Sequence, residues 1–398
     1  MHFMGYPRQD GSVGTRNLVA VIPTVFCANH VANVIASRVP ESCSFPHPVG
    51  CGYPGPDQQI TAHTLHRIAM HPNFGAVLFV GLGCERVRLE DLRVEELKKV
   101  KPVRFISIQD EGDSLKAIEK GELVASELAA ELRRQERVKC PISKLVLGLK
   151  CGGTDAASGM AANPALGVAS DLLLENGGSA VLTEITELCG AEHIMAARAR
   201  TAEVAEKIVQ CVEKNVRQLN LATCSAHETI GQAMLVSPGN ADGGVSNVVE
   251  KALGGLKKAG NGIFQDVIEY GAPLPANGLY LMDGPGHDGE AVTGLVCAGA
   301  QVVVFTTGRG TPAGFPGVPV IKSTGNPATA KVMKANIDFD AGRLFSEGLP
   351  LSALGKELLD SIIETASGKM TTAEQIGHEE LFCVSRFMPE RQLCLNNE

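Results

Sequence analysis

Short β-branched runs in this chain end repeatedly on a glycine set beside a residue that can carry chemistry: VLFVGLGCE, LVLGLKCGG, LYLMDGPGH and VVVFTTGRG. Longer segments with a 3.6-residue apolar period separate them. That alternation is the signature of parallel sheets covered by helices. Glycine at a strand end permits a tight turn or a close backbone approach, so these sites read as built turns rather than linkers. Ligands of such sheets collect beyond the carboxyl ends of the strands. The residues just past each run are therefore the first candidates: Cys27, Cys84 with Glu85, Cys151 with Gly152 and Gly153, Asp283, and Arg309.

The periodicity predicts strands at 18–23, 76–80 and 103–108, and helices at 28–38, 57–70, 89–100 and 114–135. The charged stretch 136–144 is the best domain boundary. A second round follows: strand 145–149, helix 164–176, strand 180–184, one long helix 192–219, helix 246–258, strand 279–282, helix 291–298, strand 302–306 and a terminal helix near 352–366. No internal repeat appears. A chain of 398 residues exceeds one typical core. The expectation is two Rossmann-like, doubly wound α/β domains with mainly parallel sheets, at residues 1–138 and 139–398.

A net charge of −8 with no block of Lys and Arg leaves no electrostatic footprint for a nucleic acid or an anionic membrane. No apolar run is long enough to span a bilayer, and the first residues lack a signal-peptide core. Twelve cysteines without a CxxC pair do not form a disulfide framework and point to a reducing cytoplasm.

Three cysteines lie in glycine settings, Cys51 in HPVGCGYPG, Cys84 in GLGCER and Cys151 in LKCGGTD. Soft thiolates from separate strand ends can converge on iron, as one Fe(II) or as a cluster with an open iron. Small buried hydrophobes are the plain alternative. Arg16 with Asn17, and Arg309, sit at turns where a planar guanidinium can hold a carboxylate by two parallel hydrogen bonds; a structural ion pair is equally open. Glu187, Glu192 and His193 cluster around a helix start that could seat a base, or merely cap. DGPGHDGE brings Asp283, His287, Asp288 and Glu290 together for a divalent metal or proton transfer. Thr154, Asp155, Ser158 and Asn163 form a polar glycine-rich loop before a helix, suited to a carboxylate or to capping. A G-x-G-x-x-A match at Gly308–Ala313 suggests a nicotinamide site, but Pro312, Pro316 and Pro319 would spoil the helix it needs.

FMGYPRQDGSVGTRN, HPNFGAVLFVGLGCE, LKCGGTDAASGMAANPALGVASDLL, GAEH, SPGNADGGVSNVVEKALG, MDGPGHDGEAVTG and VVVFTTGRGT together resemble successive motifs of the UxaA family of altronate and galactarate dehydratases. Sulfolactate sulfo-lyase is a more distant member. The resemblance runs from Phe3 to about Gly342. It implies a β-elimination assisted by iron (Fe2+) or Mn2+, with an iron–sulfur cluster as an alternative, in which a sugar acid loses water to give a 2-keto-3-deoxy acid. It also implies roles: Cys51, Cys84, Cys151 and Asp283 on the metal; Arg16, Asn17, Thr154, Asp155, Asn163 and Arg309 on the substrate; Glu192, His193, His287 and Arg309 in catalysis. Family members carry a small SAF domain ahead of the FMGY segment, where this chain begins, so a separate small SAF-type subunit and a homo-oligomer are expected as partners. After GRG, galactarate enzymes tend to have a cysteine where Phe315 stands, which points away from galactarate itself. The competing reading is a non-catalytic sugar-acid-binding or scaffold subunit.

Overall fold

The computed structural model describes residues 1–222 and 237–386. Strand β1 (His2–Pro7) turns back antiparallel onto β2 (Val13–Gly14). A parallel α/β round follows: β3 (Leu18–Pro23), α1 (Asn29–Arg38), β4 (Ser42–Ser44), α2 (Pro56–Met70), β5 (Phe74–Gly81), β6 (Val103–Ser107) and α3 (Ser114–Leu132). Its four strands lie in the order β4-β3-β5-β6, all parallel. β7 (Val138–Pro141) then returns to pair antiparallel with β1, Phe3 opposite Cys140. The stretch expected as the domain boundary therefore contains a strand. Its partner comes from the start of the chain, which local periodicity cannot reveal.

The second round is β8 (Val146–Cys151), α4 (Asn163–Glu175), β9 (Ser179–Leu182), α5 (Glu192–Ala196), α6 (Ala202–Ala222), α7 (Val248–Leu256), β10 (Phe264–Ile268), β11 (Leu279–Met282), α8 (Asp288–Cys297), β12 (Val302–Thr307), β13 (Val320–Thr324), β14 (Phe339–Asp340) and α9 (Leu351–Ala366). These strands form one parallel sheet in the order β10-β11-β9-β8-β12-β13-β14. The α/β class and the parallel sheets agree with the expectation. Every residue of β5 and of β12 is buried, as strands covered on both faces must be.

Alternation along the strands sorts the core. Val19, Val21, Leu78 and Val80 pack under α1 and α3. Leu147, Leu149 and Val304 pack under α4 and α9. The opposite faces meet in a single apolar layer, where Ala20, Ile22, Val77 and Phe79 join Tyr280, Met282, Val303 and Phe305 together with α2 and α8. The two sheets are thus held by one shared core.

Two expected helices differ. Within 89–100 only Val94–Leu97 is helical, because Arg93 adopts a left-handed conformation (φ 47°). The long helix 192–219 is broken into α5 and α6: Ala199 is drawn into a bridge with Phe264, and the Arg198 guanidinium donates to Gly262 O at 2.7 Å. Tertiary pairing overrides a continuous helical period there. Among the described residues no helix is long and apolar enough to cross a membrane.

β8 has β9 on one side and β12 on the other, so the direction of winding reverses beside it. In open sheets that is where a crevice forms at the carboxyl ends.

Candidate active site

Lys150 and Cys151 are the last two residues of β8 and are buried. Glu184 follows β9 and holds a left-handed backbone (φ 73°), a strain that non-glycine residues carry mainly at functional sites. Its carboxylate accepts from the Lys150 ammonium, from Lys258 Nζ at 2.7 Å and from the Cys151 backbone N–H at 3.1 Å. Lys258 lies just after α7 and also approaches Cys151 Sγ at 3.0 Å. Lys150 further reaches Asp288 at 2.8 Å at the start of α8. Glu187, three residues after Glu184, pairs with Lys251 of α7 at 3.0 Å, and the Cys151 thiol lies 3.8 Å from it. Lys251 and Lys258 are seven residues apart and face the same way. Gly255 between them leaves room, since a Cβ there would stand 3.9 Å from Cys151 Sγ.

The electrostatics are those of interlocked buried ion pairs, with Lys150, Lys251 and Lys258 set against Glu184, Glu187 and Asp288. Burial works against the charge of Lys150 and Lys258, but Glu184 and its neighbours for Lys150, and Cys151 followed by Glu184 for Lys258, outweigh it and push both pKa values up, so both stay ammonium. Burial would raise Glu184, yet the two lysines hold it down to about 2. Glu187 moves the other way: burial and the Glu184 charge raise it, against the pull of Lys150, Lys251 and Lys258. Burial with Glu184 pushes the Cys151 thiol up to about 11, so it is protonated at neutral pH and is no nucleophile. Solvent reaches the cluster through Glu187 (20% exposed) and Asp288 (49%).

Cys151, Glu184 and Glu187 are the set among the described residues whose donor atoms all fall within 4.8 Å, a spacing able to hold a metal ion. The ammonium of Lys258, close to both Sγ and Glu184, already takes the place of a cation there. With Lys150 and Lys251 alongside, a divalent ion would face three ammonium groups. The set as built is balanced by its own lysines and fits a metal poorly.

The residues singled out from sequence fall in several places. Arg16 uses every donor on the protein: Nε and Nη2 on Glu374, Nη1 on the Thr15 and Thr365 carbonyls, Nη2 also on Lys369 O. Asn17 donates to Leu132 O and Gln135. Both are structural and leave nothing for a carboxylate. The glycine-rich loop is closed too. Thr154 N–H is taken by Asn240, Asp155 accepts from Ser158 and Asn326, and Asn163 is held by Gly254 O and Thr306. Glu192 accepts from Gly190 N–H at 2.6 Å in the turn before its helix, and His193 is exposed. His287 is 66% exposed beside Glu290, and Asp283 is engaged by Lys214 and Asn215, both at 2.8 Å. Cys51 and Cys84 are exposed at the edge of the other sheet, whereas Cys151 lies in the buried cluster. Arg309 stands over Gly153 at the reversal point, half exposed and paired with Asp242 at 3.1 Å. Phe315 is buried against Phe45 and Phe382. No helix opens at Gly308–Ala313, as the prolines require.

Lys150, Glu184, Lys251 and Lys258 escaped the sequence reading. The available signal was a lysine or glutamate at an inward-facing place in an apolar run, as in LVLGLKC and AVLTE, because unpaired charges are almost never fully buried.

Residues 5–133 match the D-galactarate dehydratase/altronate hydrolase second domain, and residues 142–388 match the D-galactarate/altronate dehydratase C-terminal domain. The chain is 38% identical to altronate dehydratase of Escherichia coli over 94% of its length and 76% of that protein's. It is 34% identical to the galactarate dehydratase (L-threo-forming) of the same organism, over 95% and 76%. With (2R)-sulfolactate sulfo-lyase subunit beta of Chromohalobacter salexigens it shares 32%, over 95% and 96%. With both domains matched and these identities spanning nearly its whole length, the chain belongs to the D-galactarate/altronate dehydratase family, and with it to the hydro-lyases.

Proposed function

We propose that this chain is the catalytic subunit of a metal-dependent dehydratase that converts a sugar acid of the altronate or galactarate kind to a 2-keto-3-deoxy acid. The observation that carries the reading is Glu187, a partly exposed carboxyl with a raised pKa set among ammonium groups at the reversal point of the sheet. The proton α to a carboxylate is weakly acidic, so its removal needs a base in reach and positive charge where the enediolate forms. Glu187 is the base. Lys251 orients it, and the fixed charges of Lys150 and Lys258 favour the enediolate. Arg309 at the mouth holds a substrate carboxylate. Glu192, held on the preceding turn, and the exposed His193 and His287 lie outside this scheme. The metal is iron or manganese, and the lysine-filled cluster is not where it binds.

A separate small SAF-type subunit completes the enzyme; the support is that a relative named as a beta subunit matches over 96% of its own length. That match also favours a second reading, a sulfo-lyase in which the same enediolate expels sulfite. The enzyme is a cytoplasmic homo-oligomer in either case, in keeping with the free thiols of all ten described cysteines.

The test is anaerobic assay with Fe(II) or Mn(II), alone and with a co-expressed small subunit, on a panel of sugar acids and on sulfolactate. Formation of a 2-keto-3-deoxy acid supports the dehydratase, and sulfite release supports the second reading. Inactivity throughout, or full turnover by Glu187→Gln, overturns the proposal.

A further inference from the structure

The four-stranded sheet has a carboxyl edge of its own, and nothing in the buried cluster uses it. Of the ten described cysteines only Cys27, Cys51 and Cys84 are exposed; Cys27 sits in the short 3-10 turn Phe26–Ala28 and the other two on loops, all beyond the carboxyl ends of this sheet's strands. Free cysteine is among the most buried residue types, so three exposed thiols in one place are not packing residues.

The loops that carry them are locked together. Phe26 N–H, next to Cys27, donates to Val49 O at 2.9 Å. Arg86 N–H, two residues past Cys84, donates to Gly50 O at 3.0 Å, next to Cys51. Thr24 Oγ1 donates to Glu85 at 2.8 Å, and the buried His47 ring meets Pro23 O at 2.8 Å. Gly50 (φ 101°) is required for this closure: a Cβ there would come within 2.6 Å of Val25 Cα. A fixed framework thus holds three thiols open to solvent from three separate segments.

The same edge borders a cleft of about 770 Å³ lined by Gln59, His63, Asp283, Glu290 and Arg386. Arg386 stacks 3.8 Å from the centre of the Tyr53 ring, two residues past Cys51, and donates to Asp57 at 2.9 Å. The opposite wall, Asp283–Glu290, carries Asp288 and its contact with Lys150. Through the Arg386–Tyr53 stack the cleft adjoins the loop that carries Cys51.

We propose that Cys27, Cys51 and Cys84 together bind an iron–sulfur cluster, leaving one iron without a protein thiolate. The three sulfurs do not crowd within the 4.8 Å that unites Cys151, Glu184 and Glu187. A cluster spreads its thiolates wider than a single ion does, and three thiolates leave a coordination site for a hydroxyl or carboxylate oxygen. This places Cys27 in the ligand set and removes Cys151 from it. The role of the open iron in elimination rests on the dehydratase reading, but the presence of the cluster does not.

The test is the full chain purified without oxygen, read by iron and acid-labile sulfide content and by visible absorption rather than by turnover. The expected result is a broad visible band with stoichiometric sulfide, lost to background in Cys27→Ser, Cys51→Ser and Cys84→Ser and retained in Cys151→Ser and Cys43→Ser. Circular dichroism shows that each variant is folded. In the wild type, iodoacetamide should spare the three cysteines until the iron is chelated, and then label all three. Iron without sulfide, no iron at all, or a band that survives Cys27→Ser but not Cys151→Ser would overturn the assignment. None of these results depends on which acid the enzyme dehydrates.

Discussion

Lys258 and Glu184 face each other at 2.7 Å with 1% and 0% of their side chains exposed, and neither charge has water to fall back on. A lone buried pair is weak evidence for stability, because desolvation can exceed the attraction. Here the carboxylate is shared with Lys150 and the Cys151 backbone N–H, so one side chain ties the ends of β8 and β9 to the turn after α7. The positions of these charges are therefore fixed by the fold, the kind of preorganisation that the proposed role in stabilising a developing anion requires.

Glu184→Gln strands two buried ammonium groups. The expected loss is about 3–5 kcal/mol of folding stability, seen as a lower denaturant midpoint at unchanged slope. A midpoint equal to that of the wild type would show that the cluster does not clamp the sheet.

Glu187→Gln removes the proposed base but keeps the shape. Turnover should fall by about 10²–10⁴ in protein that circular dichroism shows to be folded, at some cost in melting temperature because Lys251 loses its partner, while Glu192→Gln and His193→Ala stay near wild type. A large loss from either of the latter pair would return the base to α5.

The pH dependences have opposite signs. Glu184 is depressed from its ordinary 4.5 to about 2, so its stabilisation is present above 4.5 and lost as pH falls toward 2. Lys150 and Lys258 are raised, so theirs is present below 10.5 and lost as pH climbs beyond it. Glu187 is raised, and a base must be ionised. The acidic limb of kcat/KM should therefore lie above 4.5 and vanish from the residual activity of Glu187→Gln.

Arg16 and Arg309 looked alike in sequence and should separate by experiment. Arg16→Ala removes the cation facing the partly buried Glu374 carboxylate, which keeps only the Thr371 donors, and should cost about 3 kcal/mol of stability. Arg309→Ala, at a half-exposed site, should leave the melting temperature alone and raise KM for the sugar acid.

Local pattern was enough for the strands Leu18–Pro23, Leu279–Met282 and Val302–Thr307 within a residue, because a buried parallel strand is a near-continuous apolar run that glycine ends sharply. It also placed Cys151 and Arg309 at the strand ends where the sheet reverses. What local pattern could not weigh was who pairs with whom. β1 and β7 meet from far apart in the chain, and the bridge between Ala199 and Phe264 breaks a helix whose own residues would have continued. The same holds for the site. Arg16 reads as a ligand until Glu374 closes on it, and Lys258 carries no signal of its own until the fold seats it on Glu184. The sequence by itself determined the α/β class and the strand ends, since these follow from short-range sterics and burial. The tertiary structure alone decided which charges are buried together, because a charge's role depends on the partner and the solvent it meets.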